Sequence, residues 1–388
     1  MARSIPAQVK PELLKWARES ARLDFDRHAD ALPFEPDIIR AWEAGQGAPT
    51  IAQLRELGKA YKRPIAVFFL AAPPADFDAQ REFRRLPGLQ PGTESPALMF
   101  AIRQAAYHRA AAIELARLTG AEMPDLDAAF HPVLEVEEAG ERVRSLLQVS
   151  WPQQLAWASP HAALSAWRTA IESYSVLIFQ AGGVNLDEMR GTCIPDQPFP
   201  IILINTKDAP HGRIFTLIHE FIHILLHASG HQTSRMQGLR APEEQTLEVA
   251  ANAFASATLL PKGPFLKELA HYPGAAEGVD ESLRLFSQRV KVSPEAILRR
   301  LTDLQIVSRA TYRAKRAEWG IRPWYVRQQV GGPIPQAVKV LAREGKGFAR
   351  LVFEAYDRNL ITTSTASDYL GTKPIHFPEI RRDLLIRA

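Results

Sequence analysis

The hydrophobic pattern changes character twice along the chain. In residues 8–70 apolar positions recur at helical spacing, as in Leu13, Leu14 and Ala17 and again in Ile38, Ile39 and Trp42. Pro36 suits the first turn of one short helix, Gly45 its end, and Thr50 the cap of the next, IAQLRELGKAY. The stretch AAPPADFDAQ (71–80) reads as a linker. Residues 97–148, with long Ala/Leu/Glu/Arg runs and few breakers, are expected to be helical. In the middle of the chain SVLIFQ (175–180) and PIILIN (200–205) are β-branched runs flanked by Gly, Pro and Asn, which predicts two strands. RIFTLIHEFIHILLHAS (213–229) then predicts a helix, and a second runs from about Pro242 to Leu260, stopped by Pro261. Helix starts follow at Ser293-Pro294 and Ser308, and Gly331-Gly332-Pro333 marks a boundary before a last helical unit, 334–388. The pattern predicts an α+β chain, predominantly α, with a small sheet flanked by helical domains.

Composition narrows the class. With 388 residues, 46% of them hydrophobic, the chain can fill more than one core. A single cysteine, Cys193, rules out an internal disulfide and a zinc cluster built from thiolates. No run approaches the roughly 18 apolar residues of a membrane span, and MARSIPAQVKPELLKWARES lacks the apolar core of a signal peptide. A cytoplasmic protein without membrane contact is therefore expected. The net charge of +4 hides an asymmetry: Glu281 to Ala388 carries 20 Lys/Arg against 10 Asp/Glu, leaving 27 basic and 33 acidic residues before it. A basic C-terminal quarter suits an acidic partner, nucleic acid first among them, although solvated helix faces would read the same.

The chemistry concentrates in His219-Glu220-Phe221-Ile222-His223, an H-E-x-x-H pattern on an apolar helix. Residues four apart lie on one helix face about 6 Å apart, so both imidazoles can reach one cation. Glu220 then projects beside the open position of the metal, where it can act as base toward a water of lowered pKa. A glutamate buried between two histidines without a cation would be costly. A catalytic zinc needs a third protein ligand. His227 lies eight residues, about 12 Å, beyond His219 on the same helix, too far to share the ion, and His227 and His231 read as structural or rim residues. Glu248 on the following helix is the preferred third ligand, with Glu243 and Glu244 as alternatives. Asn252, one turn on, could accept a hydrogen bond from a ligand histidine, or could simply pack. The strand PIILIN could line the cleft and pair with an extended peptide. Cys193 reads as a small core residue rather than a ligand.

The stretch from Arg213 to Pro261 resembles the ImmA/IrrE family of zinc metallopeptidases in RIFTLIHEFIHILLH and EVAANAFASATLLP, with FPIILIN matching the strand before the zinc helix. The resemblance implies a zincin-like core with Zn2+ on His219, His223 and Glu248 and Glu220 as catalytic base. It also implies cleavage of a repressor-like transcriptional regulator, controlling stress or mobile-element genes. SQRVKVSPEAILRRLTDLQIVS resembles the helical segment that follows the family's core. Residues 9–70 resemble an Xre-type helix-turn-helix, carried by IIRAWEAGQGAPTIAQLRELGKAYKRPIAVFFL. Here the turn reads LPFEPD, without the usual glycine, and the presumed recognition helix offers only Arg40 for DNA or partner contact. The expected domains are 1–72 (helix-turn-helix), 73–150 (helical linker region), 151–265 (peptidase core), 266–330 (helical extension) and 331–388 (basic helical unit). A DNA-binding regulator using its zinc fold as sensor or scaffold is the rival reading, and an antitoxin-like partner of a neighbouring gene product a third.

Overall fold

The computed structural model describes residues 6–74, 94–121, 126, 130–131, 133–229, 241–321 and 334–386. The predicted boundary at Gly331-Gly332-Pro333, His231 and the latter part of the 71–80 linker lie outside the described residues. The fold is α+β and predominantly α. It divides into two compact units, whose described parts are 6–74 with 94–104, and 105–386.

The first unit is built on α1 (Pro11–Ser20), α2 (Pro36–Glu43) and α3 (Ile51–Tyr61). Proline opens both α1 and α2, and Thr50 closes a capping box with Gln53 at the start of α3. Leu14, Ala17, Ile39, Trp42, Leu54, Tyr61 and Phe68 form its core. Arg18 grips Glu43 through two hydrogen bonds of 2.8 and 2.9 Å, tying α1 to α2. Between them lies only a 3-10 turn, Ala29–Ala31, where a helix-turn-helix would place a full helix. The cause is local: Asp24 Oδ1 accepts from the backbone N–H of Asp26 and Arg27 and competes with helical pairing.

Helix α4 (Pro96–Thr119) begins in the first unit and ends in the second. The helix expected through 97–148 is in fact two, because Gly120 (φ +65°) ends α4 and α5 starts afresh at Val136–Leu146. Next come α6 (Trp151–Ala156) and α7 (Pro160–Glu172), then a sheet of β1 (Leu177–Ala181), β2 (Gly191–Ile194) and β3 (Ile201–Asn205). The strand order is β1-β3-β2: β3 lies parallel to β1, Leu177 opposite Ile201, and antiparallel to β2, Ile194 opposite Ile201. The expectation that PIILIN pairs with a peptide is thereby corrected. Both edges of β3 are already paired, and β2 is the edge strand beside it. The hydrophobic pattern gives no strand there, because GTCI is only four residues long and is bounded by loops rich in Gly and Pro.

Helix α8 (Pro210–Ala228) covers one face of the sheet. Ile178, Cys193, Ile202 and Ile204 join Ile218, Phe221, Ile222 and Leu225 in the main core. Phe179 points to the opposite face, toward His108 of α4 and Phe348. There the C-terminal helices α15 (Gln336–Glu344) and α16 (Lys346–Asp357) pack on β1, followed by α17 (Thr363–Leu370) and α18 (Phe377–Ile386). A buried pair, His108 Nδ1 to Glu344 Oε2 at 3.1 Å, anchors them. Arg168 of α7 donates to the carbonyls of Ala342 and Ile178, each at 2.9 Å.

Helix α9 (Ala241–Leu259) runs against α5, and Gly140 marks the closest approach: a Cβ there would sit 2.7 Å from the Ala257 carbonyl carbon.

 The carbonyls at its C-terminal end are each met by a buried donor. Arg144 donates to Thr258 O (2.8 Å), Gln154 to Leu259 O (3.0 Å) and Arg300 to Leu260 O (3.0 Å). Arg300 in turn holds Glu137 of α5 through two bonds, at 2.6 and 2.7 Å. The remaining helices are α10 (Lys262–Leu269), α11 (Pro273–Ala276), α12 (Asp280–Val290), α13 (Pro294–Asp303) and α14 (Arg309–Ile321). Ser293 and Ser308 cap α13 and α14, as the sequence predicts.

Candidate metal centre

One turn of α8 separates His219 from His223, and both rings turn their Nε2 atoms toward the same point, 3.1 Å apart. Glu248 reaches that point from α9, with Oε2 at 3.5 Å from His219 Nε2 and Oε1 at 3.2 Å from His223 Nε2. Two ligand atoms about 2.0–2.1 Å from one ion at a tetrahedral angle stand about 3.3 Å apart. Two imidazoles and a carboxylate at these separations therefore fit a zinc-type site. Among the described residues this is the one group of three His, Cys, Asp or Glu side chains that converges so. His223 is 1% exposed at its side chain and Glu248 35%, so the centre opens toward solvent on the side of α9. Burial alone would raise the Glu248 carboxyl, but hydrogen bonds from His219 and His223 outweigh it and hold the group well below the usual carboxylate range.

Glu220 faces the sheet, beside Gly191 of β2. It is 6% exposed, and its Oε2 has no hydrogen-bond partner among the described residues. Burial pushes its carboxyl up to about 6, against the opposing pull of His219 and of the Cys193 thiol. The edge strand β2 comes close enough to meet it only because residue 191 is glycine. A Cβ at Gly191 would lie 2.1 Å from Thr216 Cγ2 and 3.6 Å from Glu220 Cγ.

The structure thus brings His219, His223 and Glu248 together, with Glu220 near enough to feel the charges of His219 and Glu248, and leaves other candidates apart. Asn252 Nδ2 donates to the Glu248 carbonyl at 2.8 Å, while Nδ1 of both His219 and His223 lacks a partner among the described residues. Asn252 is therefore not bonded to a histidine here; it ties its own helix one turn back. His227 stands outside the converging group, as its spacing requires. The side chains of Glu243 and Glu244 lie outside the described residues. In the first unit, Arg40 is engaged by Asp37 (3.0 Å) and Asp26 (3.6 Å) and stacks over Phe25, 4.6 Å from its ring centre.

Residues 175–302 match the Peptidase_M78 family model, the IrrE N-terminal-like domain. The Peptidase_M78 match starts just before β1, ends within α13 and takes in all four residues of the centre. It covers roughly a third of the chain, leaving the first unit and the C-terminal helices outside. No curated protein matches the chain. Sequence reasoning missed Gly191 and the nearness of Cys193 to Glu220, both carried by the strand it did not predict.

Proposed function

We propose that this chain is a zinc-dependent endopeptidase acting on an extended segment of another protein. The observation that carries the reading is the convergence of His219, His223 and Glu248 on one point beside a buried, half-unpartnered Glu220. Zinc bound there would polarise a carbonyl and make water more acidic, to a pKa of about 7. The chain's own groups supply the rest. Glu220 offers Oε2 as acceptor for a proton from water and can return that proton to the departing amine. Strand β2, with β3 on one side and no strand on the other among the described residues, offers backbone groups to an incoming extended peptide. The Peptidase_M78 match supports a peptidase over a pure scaffold, and an IrrE-like role points to a repressor-like regulator as substrate in the cytoplasm. DNA contact finds less support in the first unit, where Arg40 is already paired with acidic neighbours; the basic C-terminal region is the better place to seek it.

The test begins with metal. Wild type purified without chelator is expected to hold one zinc per chain, and Glu248→Ala and His223→Ala to lose it. Glu220→Gln should keep zinc, retain a bound substrate protein in a pull-down and leave it uncleaved. Absence of zinc from wild type after reconstitution would refute the proposal.

A further inference from the structure

Outside the Peptidase_M78 match, α4 and the C-terminal helices border a groove of about 770 Å³. One wall is the last turns of α4, with Glu114, Leu115 and Leu118. The other is the end of α16, the loop 359–362 and the start of α17. Glu114 and Leu118 stand one turn apart on the same face of α4. Leu118 is 44% exposed and Leu360, in the loop, 40%, so each wall presents an aliphatic side chain to whatever enters.

Three polar groups along this groove are unused. Among the described residues, neither the Glu114 carboxylate nor the Asn359 side-chain amide has a hydrogen bond or an ion pair. Tyr369 lines the groove although it is only 9% exposed, and among the described residues its hydroxyl has no hydrogen-bond partner either. A phenol buried to that degree normally finds one. Other lining groups are engaged. Thr362 Oγ1 accepts from the Thr365 N–H at 3.1 Å, and Tyr356 Oη lies 3.3 Å from Thr363 Oγ1. Arg381 donates to Asp357 and stacks over Phe353 and Tyr356, 4.9 and 5.5 Å from their ring centres. That pair cancels, so the Glu114 carboxylate is the uncompensated charge among the lining residues.

We propose that this groove binds an aliphatic amine or guanidine, its cationic head on the Glu114 carboxylate and its stem along Leu118 and Leu360. An anion would be repelled by Glu114, and a charged N–H donor bonds a carboxylate about twice as strongly as a neutral one. An ammonium brings three N–H donors, and the Tyr369 hydroxyl and the Asn359 carbonyl supply acceptors beyond Glu114. The methylene stem then covers apolar side chains that water now meets. A free polyamine and a lysine or arginine side chain on a peptide share this chemistry. No residue of the proposed metal centre takes part.

The full-length protein is titrated with pentylamine and with pentanol, its uncharged counterpart, by ligand-observed NMR. Pentylamine is expected to bind at least about tenfold more tightly than pentanol, and to weaken as salt is added. Glu114→Gln should cost about tenfold or more in affinity, and Tyr369→Phe a smaller factor. Glu138→Gln, which removes a surface carboxylate elsewhere, should change nothing. Thermal melts check folding; Glu114 is exposed, so its variant keeps the test decisive even if Tyr369→Phe is unstable. Spermidine and an acetylated lysine-containing peptide then separate the two sources, the tighter binder naming the natural one. Equal binding of amine and alcohol, or no binding of either, would overturn the proposal. So would an affinity that survives Glu114→Gln, which would place the amine elsewhere on the protein.

Discussion

His211, in the first turn of α8, is 7% exposed, and burial, reinforced by the charges of Lys291 and His161, pushes its imidazole down to about 4. An unfolded histidine titrates near 6.5, so between these values the unfolded chain binds more protons than the folded one. Stability is then full above pH 6.5 and falls as the pH drops toward 4, by up to about 3 kcal/mol from this residue. Urea unfolding at stepped pH should show that slope, and His211→Phe should flatten it; an unchanged slope in the variant would place the effect elsewhere. Such neighbours are hard to read from sequence, since Lys291 lies far along the chain. His219, Glu220 and His223 were legible because a single helix sets their spacing. Glu248 was legible as a candidate because its helix is apolar around it. The nearness of Cys193 to Glu220 was not, because it depends on the register of a strand against a helix.

At the scale of elements, the weight falls on α9, which carries Glu248 into place. Gly140 lets α5 approach its backbone, and Arg144, Gln154 and Arg300 satisfy its last carbonyls. Gly140→Ala should force the two helices apart, costing about 1–3 kcal/mol of stability by overpacking. It should also weaken zinc binding, because Glu248 shifts while the histidines on α8 do not. Competition with a zinc-binding dye, run beside a thermal melt, would show both effects; a lower melting temperature with unchanged zinc affinity would mean that α9 tolerates the shift. The caps at Thr50, Ser293 and Ser308 were readable from local chemistry alone. Strand β2 was not, because four residues carry too little pattern, and the central place of β3 is a property of pairing that no single segment reveals.

Across the whole second unit, the sheet is covered on both faces, by α8 on one and by the C-terminal helices on the other. The sequence announces those helices and their positive charge, but not their seat on β1. That seat depends on His108 meeting Glu344 and Arg168 meeting Ala342 across long stretches of chain. The burial of α8 has its own consequence. Ile214, Leu217, Ile218, Phe221, Ile222, Ile224, Leu225 and Leu226 are each at most 1% exposed, so this helix is fixed by packing on nearly every side. Small zinc domains fold only when the ion binds. Here the chelated protein should keep its far-UV circular dichroism and a single cooperative melt, and recover its metal on adding zinc; loss of the transition on chelation would show that the ion is needed for folding. On the proposed function the metal would arrive at a finished mould, and the supply of free zinc would set how many copies are armed without altering how many are folded.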